Sequence, residues 1–164
     1  MSIAAPPTPN QLPIGGAVAA GSATINTAGS TMNINQTSNR VAINWNSFDI
    51  GSNATVNFVQ PSASAVALNR VNSANPSQIY GNLNTNGQVF LMNSAGIYFA
   101  PGANVNVGGI VATTHQMGDA DFMNGSSTFS RNGSTGSVIN DGTIKSGMVV
   151  TSPYWLQKFK TMAS

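Results

Sequence analysis

The chain lacks cysteine and glutamate, and only 6% of its 164 residues are charged. Soluble domains average about 25%. Each shortage removes a class of function. Without Cys there is no disulfide framework, no thiolate zinc site and no Cys nucleophile. One His and four Asp leave little from which to build a metal site or an acid–base pair, so no catalytic, cofactor or metal site is expected. Six Lys and Arg, scattered along the chain, make no basic stripe for nucleic-acid phosphates. No run approaches the roughly 18 apolar residues of a membrane helix. The start also lacks the basic residues and the apolar run of about 7–15 that mark a secretory signal. The missing Cys fits two settings. One is chance in the cytosol; the other is passage unfolded through an oxidising periplasm, where a disulfide would close a loop.

Low charge is not disorder here. Disordered chains pair low hydrophobicity with high net charge, whereas 41% of this chain is hydrophobic and its net charge is +2. It should fold as one domain that buries about two-thirds of its unfolded surface. Solubility must then come from Asn, Ser, Thr and Gln.

Residues 1–11, with Ala4-Ala5-Pro6-Pro7-Thr8-Pro9, read as a flexible leader. Residues 12–150 read as strand, turn, strand. Ala23-Thr-Ile25, Met32-Asn-Ile34, Val41-Ala-Ile43-Asn-Trp45, Thr55-Val-Asn-Phe58 and Val105-Asn-Val107 alternate apolar with polar, the period of a half-buried strand. Between such runs lie Gly- and Asn-rich corners, which accept positive φ at little cost. The chain is expected to be all-β. Sandwiches and barrels share this spacing, but a repeat favours a solenoid. Val41-Ala-Ile43, Val66-Ala-Leu68, Val89-Phe-Leu91 and Ile110-Val-Ala112 recur about every 20–25 residues. Coils of three short strands, stacked, make a right-handed parallel β-helix. Asn at the turns could then stack between coils, amide on amide. Residues 117–137 break the pattern as a loop excursion, with Phe122 and Phe129 as its anchors. Residues 151–164 form a tail or an end cap, in which Trp155 and Phe159 would cover an open coil.

Few motifs carry chemistry. His115 reads as an ordinary polar loop residue rather than a general base. Asp49, Asp119, Asp121 and Asp141 lie far apart in sequence, which weakens a β-helical polysaccharide enzyme. Gly118-Asp-Ala-Asp121 lacks the later ligands of a calcium loop. The sequons at Asn35, Asn53, Asn124 and Asn132 are near chance in a chain so rich in Asn, Ser and Thr.

A resemblance adds to this. The stretches Leu12-Pro-Ile-Gly-Gly-Ala-Val-Ala-Ala-Gly-Ser-Ala-Thr24, Met32-Asn-Ile-Asn-Gln-Thr-Ser-Asn-Arg-Val-Ala-Ile-Asn-Trp-Asn-Ser-Phe-Asp-Ile-Gly51, Val66-Ala-Leu-Asn-Arg-Val71, Pro76-Ser-Gln-Ile-Tyr-Gly-Asn-Leu-Asn-Thr-Asn-Gly-Gln-Val-Phe-Leu-Met-Asn-Ser-Ala-Gly-Ile97 and Val105-Asn-Val-Gly-Gly-Ile-Val-Ala-Thr-Thr114 occur in this order. They resemble the filamentous haemagglutinin N-terminal domain, the secretion domain of two-partner secretion exoproteins (the haemagglutination activity domain family). That resemblance implies a right-handed parallel β-helix, of the single-stranded pectin-lyase-like kind, with an N-terminal cap. It implies a non-enzymatic monomer that targets a large adhesin or haemagglutinin for export. The implied partner is the periplasmic part of a TpsB-type outer-membrane transporter, and the implied location is the surface or surroundings of a Gram-negative bacterium. The family's signal peptide and long repeat region are not recognisable, so the chain reads as a fragment or a truncated frame. The family's Asn-Pro-Asn-Gly turn aligns with Asn93-Ser94-Ala95-Gly96, its central pair replaced. By the same alignment Asn86, Gly87, Asn93, Gly96 and Arg70 are the candidates for transporter recognition, although Arg70 could equally be a strand residue with a packed stem and a wet head. The alternative is a stand-alone adhesive module, with Tyr80 and Tyr98 stacking on host glycans.

Overall fold

The structure is a computed structural model that describes residues 5–125, 129–131, 133–147, 149–150 and 161–163. The C-terminal cluster proposed as an end cap, Trp155 and Phe159, lies outside the described residues. Two strands open the fold, β1 (Ala17–Ala20) and β2 (Ala23–Ala28). An incomplete coil follows, β3 (Thr31–Gln36) and β4 (Arg40–Trp45). Three complete coils come next. They are β5 (Thr55–Val59), β6 (Val66–Val71) and β7 (Ser77–Ile79); β8 (Asn82–Thr85), β9 (Gln88–Asn93) and β10 (Ile97–Phe99); and β11 (Asn104–Asn106), β12 (Gly109–Thr113) and β13 (Val138–Asn140). A short helix, α1 (Asp119–Met123), interrupts the last of these. Strands β14 (Thr143–Ser146), β15 (Val149–Val150) and β16 (Thr161–Ala163) continue the stack.

Successive coils place equivalent strands side by side in three sheets, ordered β1-β4-β6-β9-β12-β15, β2-β3-β5-β8-β11-β14-β16 and β7-β10-β13. All neighbours are parallel except two: β1 on β4 and β2 on β3. This is the expected right-handed parallel β-helix. The antiparallel pairs close its N-terminal edge, and Leu12, Ala23 and Ile25 pack over the first coil's core. Residues 5–13 run on against the coils: Gly51 N–H donates to the Gln11 carbonyl (2.9 Å) and Asn53 N–H to that of Pro9 (2.8 Å).

Register explains which residues point inward. Val41 pairs with Ala67, Ala67 with Val89, and Val89 with Ile110. Three of the four repeat anchors therefore align, while Val66 is displaced by one. A one-residue shift reverses the face. Val66 and Leu68 accordingly point out of the solenoid, and Ala67, Asn69 and Val71 point in. The price of this register is a polar side chain in the core. Asn69 is completely buried, and its Oδ1 accepts from Trp45 Nε1–H at 2.9 Å. Its amide donates to the carbonyls of Ala67 and Phe90. Trp45 itself meets Phe48 edge-on at 5.4 Å.

Amide stacking is present, but its place differs from the expected turns. On the outer face of the seven-stranded sheet, Asn57 donates to Asn33 and Asn84 to Asn57, each at 3.0 Å. Strand pairing aligns these columns, which continue in register to Asn106. At the corners the stacked pair is Gln, not Asn: Gln60 Nε2 donates to Gln36 Oε1 (3.1 Å), both buried.

Asp49 ties the first coil to the second, its Oδ1 accepting from Gln78 N–H at 2.8 Å. Burial pushes its carboxyl above the ordinary carboxylate range, and the Gln78 bond opposes this. A raised pKa in the folded state means that folding favours the protonated acid. Stability therefore falls as pH rises from the unfolded value through the raised folded one. Asp49→Asn should flatten this dependence and leave the domain more stable at neutral pH, as read by thermal melts across the carboxylate range; a steeper dependence would contradict the assignment. Asn69→Ala should cost about 2–4 kcal/mol in denaturant titrations, from an orphaned indole N–H plus a cavity. Adding Trp45→Phe should recover part of that loss by removing the orphan.

Candidate functional site

The five recognition candidates do not converge on one spot. Asn86 and Gly87 form the corner before β9, and Asn93 and Gly96 the corner after it, so about 20 Å of strand separates them. Asn86 is exposed, but its amide grips the backbone of Gln60 at both ends: Oδ1 accepts from the N–H (2.7 Å) and Nδ2 donates to the carbonyl (2.8 Å). Gly87 is glycine for lack of space, since a Cβ would lie 2.8 Å from the Ala65 carbonyl and 2.9 Å from that of Ser62. Asn93 is fully buried and donates to Ser77 Oγ (3.0 Å) and the Asn75 carbonyl (3.1 Å). Its Oδ1 accepts from Ala95 N–H, and Gly96 completes the turn at φ +127. These side chains shape two corners.

Arg70 belongs to a different feature. The outward residues of the six-stranded sheet are apolar over three coils: Ala42, Val66, Leu68, Met92 and the half-buried Phe90. Such a face needs a cover. Residues 114–125 and 129–131 provide it, with Phe122 and Phe129 as the anchors the sequence suggested. Phe122 is fully buried, its ring 5.8 Å from that of Phe90, and the Phe129 ring lies 6.1 Å from Phe90. The base of the excursion is closed by Gln116 and Ser130, which exchange two backbone bonds of 2.8 Å.

Two arginines fasten the cover. Arg40 Nε donates to the Phe122 carbonyl at 2.6 Å, and its guanidinium sits 4.3 Å over the Phe122 ring, a cation–π contact. Burial draws its pKa below the ordinary value. Arg70 Nη1 pairs with Asp119 Oδ1 at 2.6 Å, and Nη2 donates to the Met117 carbonyl at 2.5 Å. Nη1 also reaches Asn44 Oδ1 at 3.0 Å. Beside Arg70 an open recess of about 420 Å³ remains, lined by Gln116, Asp119, Asp121 and Ser130. The sequence reading singled out Arg70 but missed its partners, and Arg40 with it. The signal was available: period two puts both arginines outside, and Asp119 and Phe122 share a helical face three residues apart.

Elsewhere, Tyr98 is largely buried and meets Tyr80 edge-on at 6.1 Å. Burial, with Asp141 beside it, raises its phenol above the usual range. It offers no open ring face for a sugar. His115 is 5% exposed and its backbone N–H donates to Thr113 Oγ1. Among the described residues no three of His, Asp, Glu or Cys gather as a metal site would require.

Comparison with known proteins agrees with this architecture. Residues 10–152 match the TPS secretion domain family. A heme/hemopexin-binding protein of Haemophilus influenzae (strain ATCC 51907 / DSM 11121 / KW20 / Rd) is 42% identical over 135 residues, which are 81% of this chain and 15% of that protein. A second heme/hemopexin-binding protein of Haemophilus influenzae is 41% identical over 71% of this chain and 12% of its own length. Among solved structures, the HMW1 secretion domain from Haemophilus influenzae superposes with a TM-score of 0.81 at 31% identity, covering 85% of this chain and 38% of that one. The chain thus spans a small part of its curated relatives, and it belongs to the TPS secretion domain family.

Proposed function

We propose that this domain targets a large exported protein, of the kind represented by the heme/hemopexin-binding relatives, to a TpsB-type outer-membrane transporter, and that it nucleates β-helix folding during export. The observation that carries this reading is the asymmetry of the solenoid's ends. Antiparallel β1 and β2 close the first coil, so no further coil adds there. At the other end β14 and β15 lie parallel on β11 and β12, extending the same ladders. Growth then has one direction, away from the N-terminus. Coils that fold outside the cell cannot slide back, so folding itself can draw the chain outward without ATP. The absence of Cys and the scarcity of charge suit a chain that must stay extended on the way. We assign the domain targeting rather than catalysis.

Fused behind a signal peptide and co-expressed with the cognate transporter, the domain should reach the medium, and omission of the transporter should abolish this. Secretion that persists without the transporter would defeat the reading. The two corners allow a finer test. Asn86→Ala should reduce secretion more than it reduces the stability of the isolated domain, because the side chain is exposed. Asn93→Ala should lower both together, since it removes buried hydrogen bonds worth about 1–3 kcal/mol. Secretion unchanged by Asn86→Ala would take that corner out of recognition.

A further inference from the structure

Gln78 is 8% exposed, and its side-chain oxygen Oε1 is buried without a hydrogen-bond donor among the described residues. An acceptor left in this way is costly, so it calls for a partner. The other end of the same amide is satisfied. Nε2 donates to the Ala5 carbonyl at 3.0 Å, and this bond holds the outer end of the leader. The inner leader is fixed separately, by the Gln11 and Pro9 carbonyls at the Gly51 corner. Gly51 admits it for lack of a Cβ, which would collide with the carbonyls of Thr8 and Pro9.

Asp49 is the group placed to answer the oxygen. The bridge between Ile50 and Ile79 sets it beside Gln78 on the neighbouring coil. Both isoleucines are fully buried, so by alternation Asp49 and Gln78 stand on the outer side of the three-stranded sheet. Asp49 Oδ1 already accepts from the Gln78 backbone N–H. Its carboxyl can carry a proton on the other oxygen, and burial favours that neutral form. No charge nearby competes. Residues 5–13 have no titratable side chain. Tyr98 stands on the outer side of β10, with Tyr80 edge-on to it and Asp141 bonded to its phenol. None of these three shifts Asp49, on which only burial and the Gln78 bond act. The described cations lie elsewhere: Arg40 and Arg70 on the six-stranded sheet, Arg131 against the Ser134 carbonyl and Lys145 on β14. His115 follows β12.

We propose that Asp49 and the Gln78 amide form a proton-operated catch for the leader. With Asp49 neutral, its O–H donates to Gln78 Oε1. This fixes the amide with Nε2 toward Ala5, and the strap is closed. When the proton leaves for solvent, the carboxylate repels Oε1 and accepts from Nε2–H instead. The amide turns by half a rotation about its last bond. Oε1 then faces the Ala5 carbonyl, and two acceptors cannot bond. The outer leader lets go, while the Gln11 and Pro9 carbonyls keep the inner leader on its corner. Closure and protonation favour each other. The strap's contribution is therefore complete below the unfolded Asp value of about 3.9 and is lost as pH rises through the raised folded one. The catch uses only contacts within the domain, so it stands apart from the export reading.

The full chain, isotopically labelled, is titrated by NMR across the carboxylate range and up to neutrality. The Asp49 carboxyl carbon, the Gln78 side-chain amide and the backbone amides of Ala5 and Thr8 should move with one midpoint, above the ordinary Asp value. Order at Ala5, read from the heteronuclear NOE, should fall as pH rises, while the amides of Ile79 and Leu83 stay protected. Asp49→Asn supplies a permanent donor and should keep Ala5 ordered at every pH. Gln78→Met removes the catch and keeps the backbone bond. In it Ala5 should be free at every pH, and the Asp49 midpoint should fall by about one pH unit for each tenfold of coupling lost. An Asp49 titration that leaves the Gln78 amide and Ala5 unmoved overturns the catch, and so does a leader that loosens in acid. Loosening with rising pH that persists in Asp49→Asn overturns it as well. The first two outcomes are read on the unaltered chain, so the test does not depend on a variant that folds.

Discussion

The rest of the structure depends on one constraint: every coil must satisfy its backbone hydrogen bonds on the coil beside it. An isolated coil has no partner for either edge. Stacking at 4.7–4.9 Å then brings equivalent side chains into columns. A charge repeated down a column would face its own kind at that spacing, whereas Asn and Gln can donate to one neighbour and accept from the next. The columns Asn33–Asn57–Asn84 and Gln36–Gln60 are that solution. The chain's 6% charge is thus a consequence of the ladder. The same constraint requires a special first coil, and β1 and β2 meet it by running against the parallel direction.

Columns alone do not choose a register, since apolar residues could slip by two without changing face. The buried amides remove that freedom. Trp45 and Asn69 pair across adjacent coils, and Asn93 reaches Ser77 on the neighbouring coil. Displacing either strand would leave a buried donor unpaired, at a cost of the order of 1–3 kcal/mol. These polar groups add little net stability when satisfied. Their effect is to make the alternatives worse, so each new coil settles in one alignment.

Much of this was legible in the sequence, for identifiable reasons. Short period-two runs and Gly/Asn corners gave all-β, and three of the four repeat anchors lie in one register. Val66 did not, because a run such as Val66-Ala-Leu68 is apolar on both faces and periodicity cannot say which points inward. The second apolar face explains the ambiguity: Val66 and Leu68 are outside yet buried in one cluster with Met117, Phe122 and Phe129. Phe122 and Phe129 were readable as anchors because aromatics in a polar loop need a seat. The pairing of Asp119 with Arg70 was not, since it joins residues whose nearness follows only from the stacking. The stacked amides were foreseen at turns, but on the broad sheet they run along strands, where register fixes the spacing that a turn leaves free.

The order in which these features can form links fold to function. Backbone ladders between neighbouring coils mostly join residues about 20–27 positions apart, and about 40 apart where the cover intervenes, a modest loop-closure cost repeated coil by coil. The contacts of the cover span 47 and 82 residues and engage three coils at once. They cannot precede the coils and do not contribute until all three are stacked. Stability therefore arrives in two stages. A ladder grows by small, local increments that tolerate a chain still being delivered, and a long-range clasp then joins Arg40 on the first coil, Arg70 on the second and Phe90 on the third into one unit. A domain that had to be fully formed before any of it was stable could not fold by instalments. The division of labour between ladder and clasp allows the N-terminal coils to stand while the rest of the chain is on its way.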